Sequence, residues 1–256
     1  MRQLTSSGTS PYPQIPTLLP ANVNDVADRR TRLSALSSLR IYLSSRPATQ
    51  PFTSLDLQKL HKALFYALWM QDKPLHQQNL SKDLASLVDE LKGQENVVGW
   101  FEAFWFIISR EWGGIDALRM DKFLFLVRCF LAKTFEICVQ QDWQGEVVVG
   151  LLEGLEKCPL SARDGKVPDG LRYHVIDIYV DELDKADVKR DVSFDEALAP
   201  LRKLGEGTLS KVVRKRAKEA LGHERIADWK GERDGQQEGD IGMDGSEDDD
   251  FGGFDD

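Results

Sequence analysis

The sequence has few of the residues that build chemical sites. It contains three cysteines and four histidines in 256 residues, and no two cysteines form a Cys-x-x-Cys pair. A disulfide framework needs paired cysteines and a zinc site needs closely spaced ligands, so the spacing disfavours both. Cys129, Cys138 and Cys158 stand among apolar residues. We interpret them as small buried side chains of a protein from a reducing compartment.

Signatures of catalysis and of nucleotide binding are also missing. The chain has no P-loop, no dinucleotide-binding glycine motif, no nucleophile elbow and no zincin motif. Asp177 and Asp181 are four residues apart, and we interpret them as partners of Lys or Arg side chains rather than as an acid–base pair. The sequence therefore predicts no catalytic residue, no metal site, no cofactor and no small-molecule substrate. We expect a protein that is not an enzyme.

Long hydrophobic runs are absent as well. No apolar stretch approaches the roughly 20 residues that a membrane-spanning helix needs, and the densest one, residues 97–108, is interrupted by Glu102. Residues 1–20 lack the apolar centre of a secretory signal. We therefore expect no membrane partner.

Apolar residues nowhere alternate with period two for long enough to predict a strand.

Helical periodicity is what the sequence has in abundance. Apolar residues three or four positions apart predict eight or nine amphipathic helices, beginning near residue 25 and ending with helices over about 194–204 and 208–221. Their predicted caps and breaks are Ser54, Pro74, Gly93, Gly113-Gly114, Pro168, Gly205 and Gly207. Short connections between such helices favour antiparallel hairpins. Since no sequence period is evident, we predict an all-α fold, an irregular HEAT-like stack of antiparallel helical hairpins (an α-solenoid).

Charge and composition divide the chain into three parts. Residues 1–23 are rich in Pro, Ser and Thr and predict an extended arm, residues 24–222 predict the helical-repeat domain, and residues 223–256 predict a disordered acidic tail. Within that tail, residues 231–256 carry eleven acidic residues and one basic residue, a net charge of −10 that includes the run Glu247, Asp248, Asp249 and Asp250. The whole chain has a net charge of −9, so residues 1–230 carry +1. The acidity of the whole therefore does not exclude a polyanionic partner.

Two clusters of cations make nucleic-acid phosphate a candidate ligand. One is at the first helix and the other near the end of the predicted domain, where five cations occupy eight positions. Long cationic side chains displace counterions from nucleic acid, and neither cluster contains the aromatic residues of a single-strand binding platform. A solvated helix face offset by nearby acids is the alternative interpretation. The candidate phosphate contacts are Arg29, Arg30, Arg32, Arg40, Lys211, Arg214, Lys215, Arg216 and Lys218.

The aromatic residues around the fourth predicted helix are too numerous for one apolar stripe. Phe101, Phe104 and Trp105 account for its core face. Trp100 and Phe106 lie off that stripe, so they either pack into a neighbouring hairpin or contact a partner protein. Both are candidate partner contacts.

Several long motifs together resemble the ribosomal RNA-processing protein 1 family. They are ADRRTRLSALSSLRIYL over residues 27–43, LFYALWMQDKPL over 64–75, FW at 104–105, REWGGIDALRMDKF over 110–123 and PDGLRYHVIDIYVDEL over 168–183. The resemblance covers roughly residues 24–190, in order. It departs at the C-terminus, where some relatives carry long basic extensions and this chain ends in acidic residues.

The resemblance implies a helical scaffold of the nucleolus, in the nucleus, that joins pre-60S ribosomal particles. Such a scaffold binds other assembly factors and supports the processing of precursor rRNA. Combined with the basic clusters, it predicts contacts to the pre-rRNA backbone. An alternative also follows from the charge pattern: a helical adaptor that binds only protein and whose acidic tail binds or shields basic partners such as ribosomal proteins.

Overall fold

The computed structural model describes residues 29–187 and 194–229, and these residues form helices and connecting turns without a strand. The α-helices of these two ranges are α1 (Arg29–Ser45), α2 (Ser54–Trp69), α3 (Pro74–Ser86), α4 (Gln94–Glu111), α5 (Ala117–Gln140), α6 (Glu146–Lys157), α7 (Asp169–Ala186), α8 (Phe194–Ala197), α9 (Ala199–Gly207), α10 (Lys211–Leu221) and α11 (Glu224–Trp229). The all-α prediction is confirmed. No helix in the described ranges is both long and apolar enough to cross a membrane.

The helices stack in two rows. The first row is α2, α4, α6 and α9, and the second is α3, α5, α7 and α10; each helix packs against the next helix of its own row. Consecutive helices, α2 with α3 and α4 with α5, therefore form hairpins that alternate between the rows. Helix α1 packs at the start of the stack against a 3-10 turn (Leu87–Glu90), and α11 packs on α7. This arrangement confirms the predicted solenoid-like stack.

Aromatic side chains fill the space between the two rows. The rings of Phe104 in α4 and Phe130 in α5 stack with centroids 3.5 Å apart, and Phe65 in α2 stacks on Phe123 in α5 at 4.4 Å. Phe123 and Phe130 are seven residues apart and thus lie on the same face of α5. The apolar stripes that predicted the helices therefore meet in one continuous core.

Glycine allows close approach at one crossing of the first row. A Cβ placed on Gly150 of α6 would lie 2.7 Å from a Val98 methyl group of α4. Because Val is β-branched, its side chain has little freedom to move away. Gly93 serves a different purpose, since its φ of +87° places it in the left-handed region at the turn into α4.

Ion pairs join successive helices along each row. In the first row Lys157 of α6 lies 3.0 Å from Glu102 of α4, and Lys203 of α9 lies 2.7 Å from Glu156 of α6. In the second row Lys133 of α5 binds Asp89, 2.9 Å away in the 3-10 turn. Further second-row pairs are Arg128 with Glu182, Arg216 with Asp177, and Arg225 of α11 with Asp181. Asp177 and Asp181 are thus partners of arginines, as predicted.

Several predicted boundaries are wrong by a turn or less. The cap of α2 is Thr53, whose side chain accepts from the Asp56 N–H, and not Ser54. The prediction of one helix over 194–204 is also wrong, because the chain breaks at Leu198 and Pro200 opens a new helix. That helix continues through Gly205 and ends at Gly207. Helices tolerate glycine at a cost of about 1 kcal/mol, so it is a weak stop signal.

The predicted start of the tail at residue 223 is too early. Residues 224–229 form α11, in which Ile226 is buried and Trp229 donates its ring N–H to Asp184 at 3.0 Å. Six residues with two apolar anchors are too few to show a helical period, which explains the error. The proposed arm, residues 1–23, and the rest of the tail lie outside the described residues.

Candidate functional site

Helix α10 carries the better-defined of the two basic clusters. Ser210 caps its first turn, and Val213 and Ala217 are completely buried against the stack. Lys211, Lys215 and Lys218 lie at positions i, i+4 and i+7 and therefore share the opposite face. All three are exposed. We call Lys211, Lys215 and Lys218 the lysine ridge.

The two arginines of the same cluster are used inside the molecule. Arg214 donates to the Thr208 carbonyl oxygen at 2.7 Å, and Arg216 lies 3.0 Å from the Asp177 carboxylate of α7. The Arg216 guanidinium also lies 4.6 Å from the centre of the Tyr173 ring. Of the five predicted phosphate contacts in this cluster, three thus project outward and two attach α10 to its surroundings.

Apolar side chains border the lysine ridge. Leu209, just before α10, is 94% exposed and Val212 is 54% exposed. Lys215 has one weak partner, Glu219, at 3.5 Å on the same exposed surface. Within the described residues, no ion pair engages Lys211 or Lys218. The outer face of α10 thus combines positive charge that is only partly compensated, by Glu219, with exposed apolar surface.

The cluster at the first helix is at the other end of the stack. Arg29, Arg30 and Arg32 lie in α1, and their side chains are outside the described residues. Arg40 binds Glu90 at 3.0 Å and the Ser86 hydroxyl at 3.1 Å, which attaches α1 to the end of α3. Arg40 therefore makes a structural contact within the molecule, and its phosphate contact stays a prediction.

Trp100 is fully buried and is unavailable to a partner. Its ring packs on His61 of α2, with centroids 4.2 Å apart. Of the two alternatives, packing into a neighbouring hairpin is therefore confirmed for Trp100, and the partner contact is wrong. Burial lowers the pKa of His61 to about 3, and a hydrogen bond with the Trp100 backbone offsets part of that shift. Trp100 lies off the predicted stripe because α4 is packed by α2 as well as by α5.

Phe106, in contrast, is 46% exposed and lines a groove of about 700 Å³ on the first row. The Arg110 guanidinium lies 5.5 Å from the centre of its ring. The groove runs between α2, α4 and the loop that follows α6, with Trp105, Lys157, Lys166 and Pro168 in its walls. Phe106 therefore stays a candidate partner contact. The groove itself was not predicted, since it joins residues more than 100 positions apart.

Among the described residues, the side chains of interest for chemistry are potential metal ligands and the three cysteines, which are shielded from solvent to different degrees. No cluster of three His, Cys, Asp or Glu side chains with metal-binding geometry occurs among residues 29–187 and 194–229. Burial raises the pKa of the Cys129, Cys138 and Cys158 thiols, to about 11 for Cys129 and Cys158 and about 12 for Cys138. The acidic run Glu247, Asp248, Asp249 and Asp250 lies outside the described residues.

Comparison with known proteins agrees with the motifs. The chain matches the family described as "Nucleolar protein, Nop52" over residues 25–252. It is 40% identical over 157 residues to ribosomal RNA processing protein 1 homolog A of Mus musculus, covering 60% of this chain and 32% of the relative. It is 37% identical over 164 residues to homolog B of Homo sapiens, covering 62% and 21%.

A less similar relative matches a comparable part of this chain. The ribosomal RNA processing protein 1 homolog of Drosophila melanogaster is 31% identical over 165 residues, which cover 64% of this chain and 23% of the relative. The matched region is thus between 21% and 32% of the length of these three relatives. The family match, by contrast, spans most of this chain. The protein therefore belongs to the Nop52 family of nucleolar proteins, as its resemblance to ribosomal RNA-processing protein 1 indicated.

Proposed function

We propose that the protein is a non-catalytic scaffold of the nucleolar pre-60S particle that supports the processing of precursor rRNA. In this role its helical stack binds other assembly factors, and the lysine ridge binds the rRNA backbone. The names of the relatives support the rRNA-processing role. The observation that carries the RNA contact is the ridge itself, three exposed lysines on one face of α10.

The chemistry of the ridge favours phosphate over bases. Lysine ammonium groups are mobile point charges that neutralise phosphate without reading sequence. Sequence-tolerant binding of single strands uses exposed aromatic rings, and the side chains that border this ridge, Leu209 and Val212, are aliphatic. We therefore assign the ridge to the backbone of structured RNA.

Charge reversal tests this function. The variant K211E/K215E/K218E inverts the ridge, and K59E/K73E/K92E makes the same change in charge at three other exposed lysines. Helix content and thermal stability of both variants are measured first. We expect the ridge variant alone to lose association with large-subunit precursors in affinity purification.

The salt dependence of RNA binding makes the same test quantitative. A contact with about three phosphates contributes a slope of about −2 to −3 in log K against log salt concentration. We expect purified wild-type protein and K59E/K73E/K92E to show this contribution with a structured RNA, and K211E/K215E/K218E to lack it. Equal slopes for all three proteins would contradict RNA binding by the ridge.

The groove at Phe106 favours a second candidate, the adaptor that binds only protein. An exposed aromatic ring beside an arginine is typical of contacts that dominate binding energy at protein interfaces. If the adaptor is correct, F106A/R110A abolishes recovery of partner proteins and the purified particle yields no RNA crosslinks to helices α1–α10. Crosslinks within α10 would favour the scaffold with an RNA contact instead.

A further inference from the structure

The outer face of α10 has a composition that selects its ligand. Three lysines lie in a row along the helix, and two exposed aliphatic side chains, Leu209 and Val212, lie beside them at the N-terminal end. A ligand that satisfies this face needs several negative charges together with apolar groups. Phosphate backbone provides the first of these and lacks the second.

One segment of this chain has both the negative charges and the apolar groups. Residues 247–254 read EDDDFGGF, with four consecutive acids followed by Phe251 and Phe254. The four acids are opposite in charge to the three ammonium groups of the lysine ridge and sufficient in number to pair with them. The two phenyl rings match Leu209 and Val212 in number and in chemical character.

The last described residue contacts the same helix, α7, that α10 packs on. Arg216 of α10 binds Asp177 and Trp229 binds Asp184, both on α7. Those two carboxylates are seven positions apart, a rise of about 10 Å along α7. Residues 230–246 connect Trp229 to the acidic run, and a chain of that length extends over about 55 Å. The extended connection is thus several times longer than the 10 Å between these two contact points on α7.

We propose that residues 247–254 of this chain bind the outer face of α10, with the acids on the lysine ridge and the phenylalanines on Leu209 and Val212. The segment then occupies the surface that the proposed function assigns to rRNA, and the two exclude each other. Free protein holds the ridge covered, and RNA binds only where it displaces the segment. The intramolecular contact does not depend on the RNA role, but its effect on RNA rests on that proposed function.

The contact is tested first without RNA. An amine-acylating reagent is applied to the full chain and to a chain ending at residue 230, and modification of each lysine is measured by mass spectrometry. We expect Lys211, Lys215 and Lys218 to react about three- to tenfold more slowly in the full chain, with Lys59 and Lys92 unchanged as internal controls. Equal reactivity of the ridge in both chains overturns the proposal, and so does equal protection of all five lysines.

Variants of the segment separate its two chemistries. The full chain with E247Q/D248N/D249N/D250N removes the charge, and F251A/F254A removes the rings at constant charge. Each is expected to recover part of the reactivity of the truncated chain. If F251A/F254A leaves the protection intact, Leu209 and Val212 are not the site of the rings, and the contact as proposed is overturned.

RNA binding is measured last, at low salt, with a structured RNA probe. We expect the chain ending at residue 230 to bind about three- to tenfold more tightly than the full chain, since affinity falls with the fraction of free ridge. The gain should vanish in a K211E/K215E/K218E background. Protected lysines with no RNA binding by either chain would leave the intramolecular contact standing and overturn the proposed function. If RNA binding depends on the ridge but the ridge lysines react equally in both chains, the proposed function stands and the intramolecular contact is overturned.

Discussion

At the scale of single residues, two buried polar side chains differ in how the fold compensates them. Lys122 of α5 donates to the carbonyl oxygens of Trp69 and Gln71, at 2.6 and 2.8 Å, where α2 ends. Its ammonium group thus lies at the negative end of a helix dipole, although burial lowers its pKa. His61 has no such compensation at Nε2, which is buried without a hydrogen-bond partner. The neutral ring is the form that this site accepts.

His61 therefore predicts a pH dependence of stability. Its pKa is about 3 in the folded protein, against 6.5 for an unperturbed histidine, so below pH 6.5 only the unfolded chain takes up the proton. The free energy of unfolding should fall as the pH drops from about 6.5 towards 3, by about 1.4 kcal/mol per pH unit from this residue. H61L should remove that part of the slope in urea unfolding measured between pH 6 and 4.

A second buried histidine contributes to the pH dependence of stability that remains in H61L. Burial also lowers the pKa of His174, whose ring nitrogen lies 2.9 Å from the Leu124 carbonyl oxygen, so H61L is expected to keep some dependence in the same direction. H76Q, which removes a histidine lining a surface groove beside α3, is the matched control. A slope in H61L as steep as in the wild type would contradict the neutral, uncompensated ring.

At the scale of helices, contact distance within a row decides which residue a position accepts. Gly150 and Gly154 both lie in α6, four residues apart, and both face α4. A Cβ on Gly150 would clash with Val98, whereas a Cβ on Gly154 would lie 3.8 Å from the Glu102 side chain, an ordinary contact. Two glycines that look equivalent in the sequence therefore have different reasons to be there.

Alanine substitution should separate the two glycines. Helix propensity favours alanine over glycine by about 1 kcal/mol at either site. We expect G154A to be neutral or stabilising by up to that amount, and G150A to be destabilising by about 1–3 kcal/mol because the crossing is overpacked. Denaturant unfolding measures both. The double variant V98A/G150A should regain part of the loss; no recovery would show that the Val98 contact is not the cause.

At the scale of the whole molecule, each helix contacts mainly its neighbours in the stack. Stability in such a structure is close to a sum of local terms. V213A, which removes buried methyl groups from α10 at the last hairpin, should therefore speed hydrogen exchange in α9 and α10 and leave α2 and α3 unchanged. L131A in the central helix α5 is the comparison, and it should affect both sides. Uniform acceleration in V213A would argue for one cooperative unit.

The sequence predicted the parts of this structure that depend on local pattern. Leucine spacing located the helices, and the positions of Lys211, Lys215 and Lys218 alone place them on one face. What it could not predict are contacts between distant positions. Arg216 is withdrawn from the cluster by Asp177, 39 residues away, and Trp100 is buried by His61, 39 residues away. Both facts depend on which helices are neighbours within a row, and helical periodicity does not encode that order.

The two-row stack also fixes the distance between its two ends. From α3 to α10 the second row advances by three helix spacings, about 24–30 Å at 8–10 Å each. The first helix and its arginines lie at one end of that distance and the lysine ridge lies at the other. Ion pairs and aromatic packing between neighbouring helices hold the interval nearly constant. Ligands bound at these two ends of the stack would therefore be held at that spacing.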